Sequence, residues 1–128
     1  MRADLAPVAS RNSIVPTDPS SVAYHLMPET SFLAALPDGP LRPTSLLVEG
    51  FVHLTHRLDD LVVVANTFYR DEPGPHVVLA LALPLLSAPW RYDGDDRFPH
   101  VYGPINRDAI TDVRSIGRGP DGEFLAIA

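Results

Sequence analysis

The chain has no cysteine and no lysine. The first absence removes disulfides, thiolate nucleophiles and thiolate metal sites. The second removes Schiff-base chemistry and the lysine of a Walker-type phosphate loop. All ten basic residues are arginine, against sixteen acidic ones, for a net charge of −6. That balance opposes the clustered positive charge of a nucleic-acid binder. No apolar run approaches the ~18 residues of a membrane span. Arg2, Asp4, Pro7, Ser10 and Arg11 interrupt the place where a signal peptide keeps its apolar stretch. There is no glycine fingerprint for a dinucleotide. The expectation is a soluble cytoplasmic protein without membrane or nucleic-acid partners and without a redox or organic cofactor. What remains is an ordinary globular balance of 45% hydrophobic and 20% charged residues over 128 positions. The 14 prolines and 8 glycines stay below the ~25–30% of a low-complexity chain.

Residues 1–21, with Pro7, Pro16, Pro19 and several serines, carry no helical or strand period and read as a flexible or loosely docked tail. A single α+β domain is expected over 22–128. Val22 to Leu26 is a strand candidate. Pro28 suits a first helical position, followed by an apolar face of Phe32, Leu33 and Leu36. Pro37-Asp38-Gly39-Pro40 is a turn, and 40–48 reads as irregular. Gly50 to Leu54 reads as a strand. Thr55 then suits an N-cap for a helix over 57–69, with Asp59 and Asp60 near the positive end of its dipole. Its apolar face holds Leu58, Leu61, Val62, Ala65, Phe68 and Tyr69, although three consecutive valines object by propensity. His76 to Leu83 is apolar nearly throughout, as in a central strand covered on both faces. Trp90 to Tyr92 is a short strand, and Pro99 with Gly103-Pro104 makes 97–105 a constrained loop. Ile110 to Ile116 and Glu123 to Ile127 read as two strands around a Gly/Pro turn. The sum is a small mixed or antiparallel sheet with two helices.

With thiols and amines gone, chemistry falls to imidazole, carboxylate, guanidinium and hydroxyl groups. The histidines are His25, His53, His56, His76 and His100. His25, His53 and His100 stand in distinctive surroundings: Tyr24-His25, then Glu49-Gly50-Phe51-Val52-His53-Leu54-Thr55, then Arg97-Phe98-Pro99-His100-Val101-Tyr102-Gly103-Pro104. A loop stiffened by proline is a suitable carrier for a site residue. The three histidines are expected to approach one pocket as catalytic groups, with Tyr24, Thr55, Arg97 and Tyr102 binding substrate at its rim. His56 and His76 read as solvated. Three histidines can hold zinc, yet no paired ligand spacing is present, so no tightly bound metal is expected. Arg97 is also placed to pair with Asp95 or Asp96.

These segments, together with Ala65-Asn66-Thr67-Phe68-Tyr69, resemble the small bacterial domain of unknown function 952 family, in order and spacing over roughly 22–116. The resemblance implies an α+β domain related in fold to ADP-ribosyltransferases and RNA 2′-phosphotransferases. Trp90-Arg91-Tyr92-Asp93 stands where members often end in Glu, and no carboxylate role is read there. By order alone, His25, Tyr69 or Tyr102, and Glu123 are counterparts for an ADP-ribosyl-type site.

The expected function is therefore a small-molecule enzyme using histidine acid–base catalysis. It would cyclise, eliminate or isomerise a carbonyl-containing metabolite, with His53 or His100 as acid or base. Arg97 or Tyr102 would stabilise developing oxyanion charge. The alternatives are an NAD-dependent ADP-ribosyl or 2′-phosphotransferase-type enzyme, and a non-catalytic ligand-binding domain.

Overall fold

The structure, a computed structural model, describes residues 19–35 and 39–127. Of the segment read as a tail, only Pro19–Ser21 is described, as a 3-10 turn entering the first strand; the rest lies outside the described residues, as do Leu36, Pro37 and Asp38.

Strand β1 (Val22–Pro28) leads into helix α1 (Glu29–Ala34). Pro28 closes the strand and caps the helix with extended backbone, at φ −59° and ψ 138°, rather than opening its first turn. Helix α2 (Thr44–Glu49), strand β2 (Val52–His53) and helix α3 (Leu58–Phe68) follow. Then come β3 (His76–Ala82), β4 (Trp90–Tyr92), β5 (Pro99–Val101) and β6 (Ile110–Ile116). Two three-stranded sheets result, in the orders β1-β3-β6 and β2-β5-β4, and every pairing is antiparallel. The fold is α+β. Among the described residues there are three helices, one more than the sequence suggested.

The extra helix is α2, in the stretch read as irregular. Pro43 supplies its entry, with φ held at −57° by the ring. Gly50 closes it at φ +91°, a left-handed position that costs glycine little, and donates its N–H to the carbonyls of Ser45 and Leu46. With Leu47 and Val48 both exposed, no apolar face of helical period marks the segment. Thr55 does not cap α3. The N-cap is Arg57, in extended backbone, because Thr55 is drawn into a β-bridge with Tyr24. Each donates its N–H to the other's carbonyl, at 2.9 and 2.7 Å. This bridge joins the two sheets.

The constrained loop contains a strand, β5, at the centre of the second sheet. Pro99 is tolerated as its first residue, where only its carbonyl is needed; that carbonyl accepts from the N–H of Leu54 at 3.0 Å. In contrast, Glu123 to Ile127 forms no strand beyond a bridge between Arg118 and Phe124. The main chain of Phe124 is bonded instead to the Asn66 side chain on α3, its N–H to Oδ1 at 2.7 Å and its carbonyl from Nδ2 at 3.0 Å.

β3 is buried along its whole length, as its apolar run required. One of its faces packs with Ala23, Met27, Leu41, Val52, Leu54, Val101 and Ile105, the core shared by the two sheets. The other packs with Leu26, Leu61, Ala65, Ile116 and Phe124. Burial at Leu61 and Ala65, each side chain of leucine size contributing about 1.5–3 kcal/mol, outweighs the fractions of a kcal/mol by which three valines oppose a helix.

Candidate functional site

In the antiparallel β2–β5 pair, His53 lies opposite His100. Opposed residues share a face of the sheet, and the two rings meet at 5.4 Å between centroids, edge to face. Phe51 stacks on His100 at 4.2 Å and touches His53 at 4.8 Å. The sheet therefore sets an imidazole pair against an aromatic wall.

Each imidazole has a carboxylate behind it. His53 Nε2 lies 3.1 Å from Glu49 Oε1, at the last residue of α2. His100 Nδ1 lies 2.9 Å from Asp93 Oδ2. An ionised carboxylate only accepts, so the ring nitrogens donate. That leaves Nδ1 of His53 and Nε2 of His100 as the lone-pair positions. Asp93 is a hub: it also accepts the Tyr102 hydroxyl and the Arg91 Nε–H, the latter at 2.7 Å. The bonds from Tyr102, Arg91 and His100, in that order, hold its carboxyl well below the usual carboxylate range. The same bond raises the Tyr102 phenol, which lies beneath the Arg91 guanidinium at 4.1 Å.

His25 meets this group by a different route. Its Nδ1–H donates to the main-chain carbonyl of His53 at 3.0 Å. The residue is 6% exposed, and burial pushes its pKa down to about 4. Nε2 has no hydrogen-bond partner among the described residues. His25 forms part of the wall of a cavity of about 510 Å³ beside β1, α1 and α2, together with Arg42, Tyr69, Glu72 and His76. Neither His53 nor His100 lines that cavity. Burial, then the charges of Glu72 and Glu49, raise the Tyr69 phenol.

The remaining expected residues sit as follows. Tyr24 is half-buried against the α3 core, and Thr55 is buried in the bridge. Arg97 forms a two-nitrogen pair with Asp95, at 3.0 and 2.6 Å, and approaches Asp60 at 3.9 Å, so its charge is already answered. His56 is not simply solvated: Nδ1 donates to the Val22 carbonyl at 2.8 Å and Nε2 meets the Tyr92 hydroxyl at 2.7 Å. His76 is buried, with Glu72 at 3.3 Å from Nε2. Sequence reasoning missed Glu49 and Asp93 as partners and Phe51 as the wall. Glu49 lies four residues before His53, which hinted at a pair. Asp93 becomes visible only once β4 is known to pair with β5. Among the described residues, no three His, Asp or Glu side chains gather closely enough to hold a metal ion.

A family described as a protein of unknown function, DUF952, matches residues 26–113. The chain belongs to this family. The DUF952 match contains His53, Asp93 and His100, and begins one residue after His25. No curated protein matches the chain. Among solved structures, protein CC0527 from Caulobacter crescentus is similar: its crystal structure is 26% identical, with a TM-score of 0.66, covering 81% of this chain and 93% of that one. The solution structure of CC0527 is 23% identical, with a TM-score of 0.56, over 80% of this chain and 90% of that one. These likenesses place the DUF952 fold described above among experimentally determined ones. No helix among the described residues is long and apolar enough to cross a membrane.

Proposed function

We propose that this protein is a small-molecule enzyme that moves protons with His53 and His100, cyclising, eliminating or isomerising a carbonyl-containing metabolite without a redox cofactor. The observation that carries the proposal is the Asp93–His100 pair. A carboxylate on Nδ1 fixes the tautomer and orientation of an imidazole and presents Nε2 as the base, as in a hydrolase triad. Tyr102 and Arg91 hold Asp93 in turn, so the base is oriented through a hydrogen-bonded network. His53, 5.4 Å away and backed by Glu49, is the partner acid. In one turnover His100 Nε2 takes a proton from the carbon next to the substrate carbonyl, and protonated His53 returns one to oxygen or to the neighbouring carbon. Arg97 is left out of the mechanism, because Asp95 occupies it. The Tyr102 hydroxyl serves Asp93 rather than an oxyanion.

The test is proton exchange. Incubated in deuterium oxide with a panel of keto and hydroxy-keto metabolites, the protein should label one of them at carbon, read by NMR. His100→Ala and His53→Ala should each slow labelling by about 10²–10⁴, the usual contribution of a positioned acid or base, with the fold intact. Full rates in both variants would defeat the mechanism.

A second reading, the NAD-dependent ADP-ribosyl or 2′-phosphotransferase type implied by the fold resemblance, draws on one observation. His25 and Tyr69, two of its three candidate groups, line one cavity. The third, Glu123, accepts from the Asp121 N–H in the C-terminal turn and does not line that cavity. Release of nicotinamide from NAD would favour it over proton transfer. Ligand binding without turnover would favour a non-catalytic domain.

A further inference from the structure

Four arginines of the described chain carry a carboxylate: Arg57 on Asp59, Arg91 on Asp93, Arg97 on Asp95 and Arg114 on Asp112. Arg42 has none among the described residues, and it lines the cavity of about 510 Å³ beside β1. That volume lies within the range of small-ligand sites. Ser31, Thr44 and Ser45 line the same cavity, bringing hydroxyls that donate to an anion or accept from a ligand. The carboxylate in the lining, Glu72, lies 3.3 Å from Nε2 of buried His76.

His25 supplies an independent observation. Its Nδ1–H is spent on the His53 carbonyl, so Nε2 carries a lone pair. That atom is buried without a partner among the described residues, and a buried acceptor left unpaired carries a desolvation cost. A neutral acceptor in a wall that also holds a guanidinium with no carboxylate on it among the described residues matches a ligand with two features. One is an anionic group for Arg42. The other is a hydroxyl or N–H for His25.

We infer that the cavity beside β1 binds a small hydroxylated anion, its carboxylate or phosphate on Arg42 with the serine and threonine hydroxyls, and its hydroxyl donating to His25 Nε2. The inference stands on the cavity and its charges, apart from proton transfer at His53 and His100. Binding is read without turnover, so either proposal can fail alone.

The probes are D-glycerate, glycerol 3-phosphate and glycerol, titrated in millimolar excess into ¹⁵N-labelled full-length protein. At least one of the two anions should shift the amides around Arg42 to Ser45 and move the imidazole Nε2 resonance of His25. The one that binds tells carboxylate from phosphate. Glycerol should do neither. Arg42→Gln, a change at an exposed position, should weaken the binding by about tenfold or more, the scale of one charge-assisted hydrogen bond. Absence of binding by both anions, equal binding to Arg42→Gln, or an anion that binds while Nε2 stays unmoved would each overturn the proposal.

Discussion

At the scale of single residues, His25 is a buried group whose state depends on the fold. In the unfolded chain an imidazole titrates near 6.5; in the folded protein burial moves it to about 4. Between those values the unfolded chain binds a proton that the native one refuses. Stability therefore rises with pH across that window and is lost as pH falls through it, by about 3 kcal/mol in total at 1.36 kcal/mol per pH unit. Urea unfolding at pH 7, 6, 5 and 4 should show this slope, and His25→Gln, which does not titrate, should flatten it. An unchanged slope in the variant would mean that another group takes up the proton. His53 and His100 differ from His25 in exposure, at 42% and 19% of their side chains. Both keep access to solvent, which the proposed proton transfer needs.

At the scale of elements, the C-terminal turn shows how one side chain replaces a strand. Arg118 spreads its nitrogens over the carbonyls of Arg70, Glu72, Gly74 and Gly122, at 2.8 to 3.0 Å, with its guanidinium 3.9 Å from the centre of the Phe124 ring. It ties the ends of α3 and β3 to the last turn. Arg118→Ala should cost about 2–4 kcal/mol, since several carbonyls lose their donor together. Arg118→Lys should restore little, because one ammonium cannot span four acceptors set in a fork. Chemical denaturation of the two variants checks both statements. The same turn shows why some elements could be read from sequence and others could not. β3 and α3 announce themselves, because an apolar run and an apolar stripe are local properties. The end of the chain looked like a strand by composition, but its bonds go to Asn66 on α3, 58 residues away. α2 is set by Pro43 and Gly50 at its ends rather than by its interior. The pairing of His53 with His100 was legible as two separate motifs. Asp93 was not, because it reaches His100 only through the pairing of β4 with β5.

At the scale of the whole molecule, the long strand ladders and the imidazole pair lie on different sheets. In the first sheet β1 pairs with β3 from Val22 to Pro28, and β3 pairs with β6 nearly as far. In the second, β2 meets β5 only at Val52–Val101 and His53–His100, and β4 meets β5 only from Trp90 to Tyr92. The imidazole pair and its carboxylates are built around this weaker ladder, which is tied to the first sheet by the Tyr24–Thr55 bridge and by the shared core of Val52, Leu54 and Val101. Short ladders with few backbone bonds open at lower free energy than the global transition. Native-state hydrogen exchange should therefore find the amides of Val77 to Leu81 protected up to the free energy of global unfolding. Those of His53, His100 and Arg91 should exchange through a smaller, sub-global opening. Val101→Ala should tell the two apart: the truncation lies in the core that joins the sheets, with a cost of about 1–3 kcal/mol. It should lower the protection of the second sheet more than that of β3. If both sheets lose protection equally, the molecule opens as one cooperative unit, and the site is as rigid as the core beneath it.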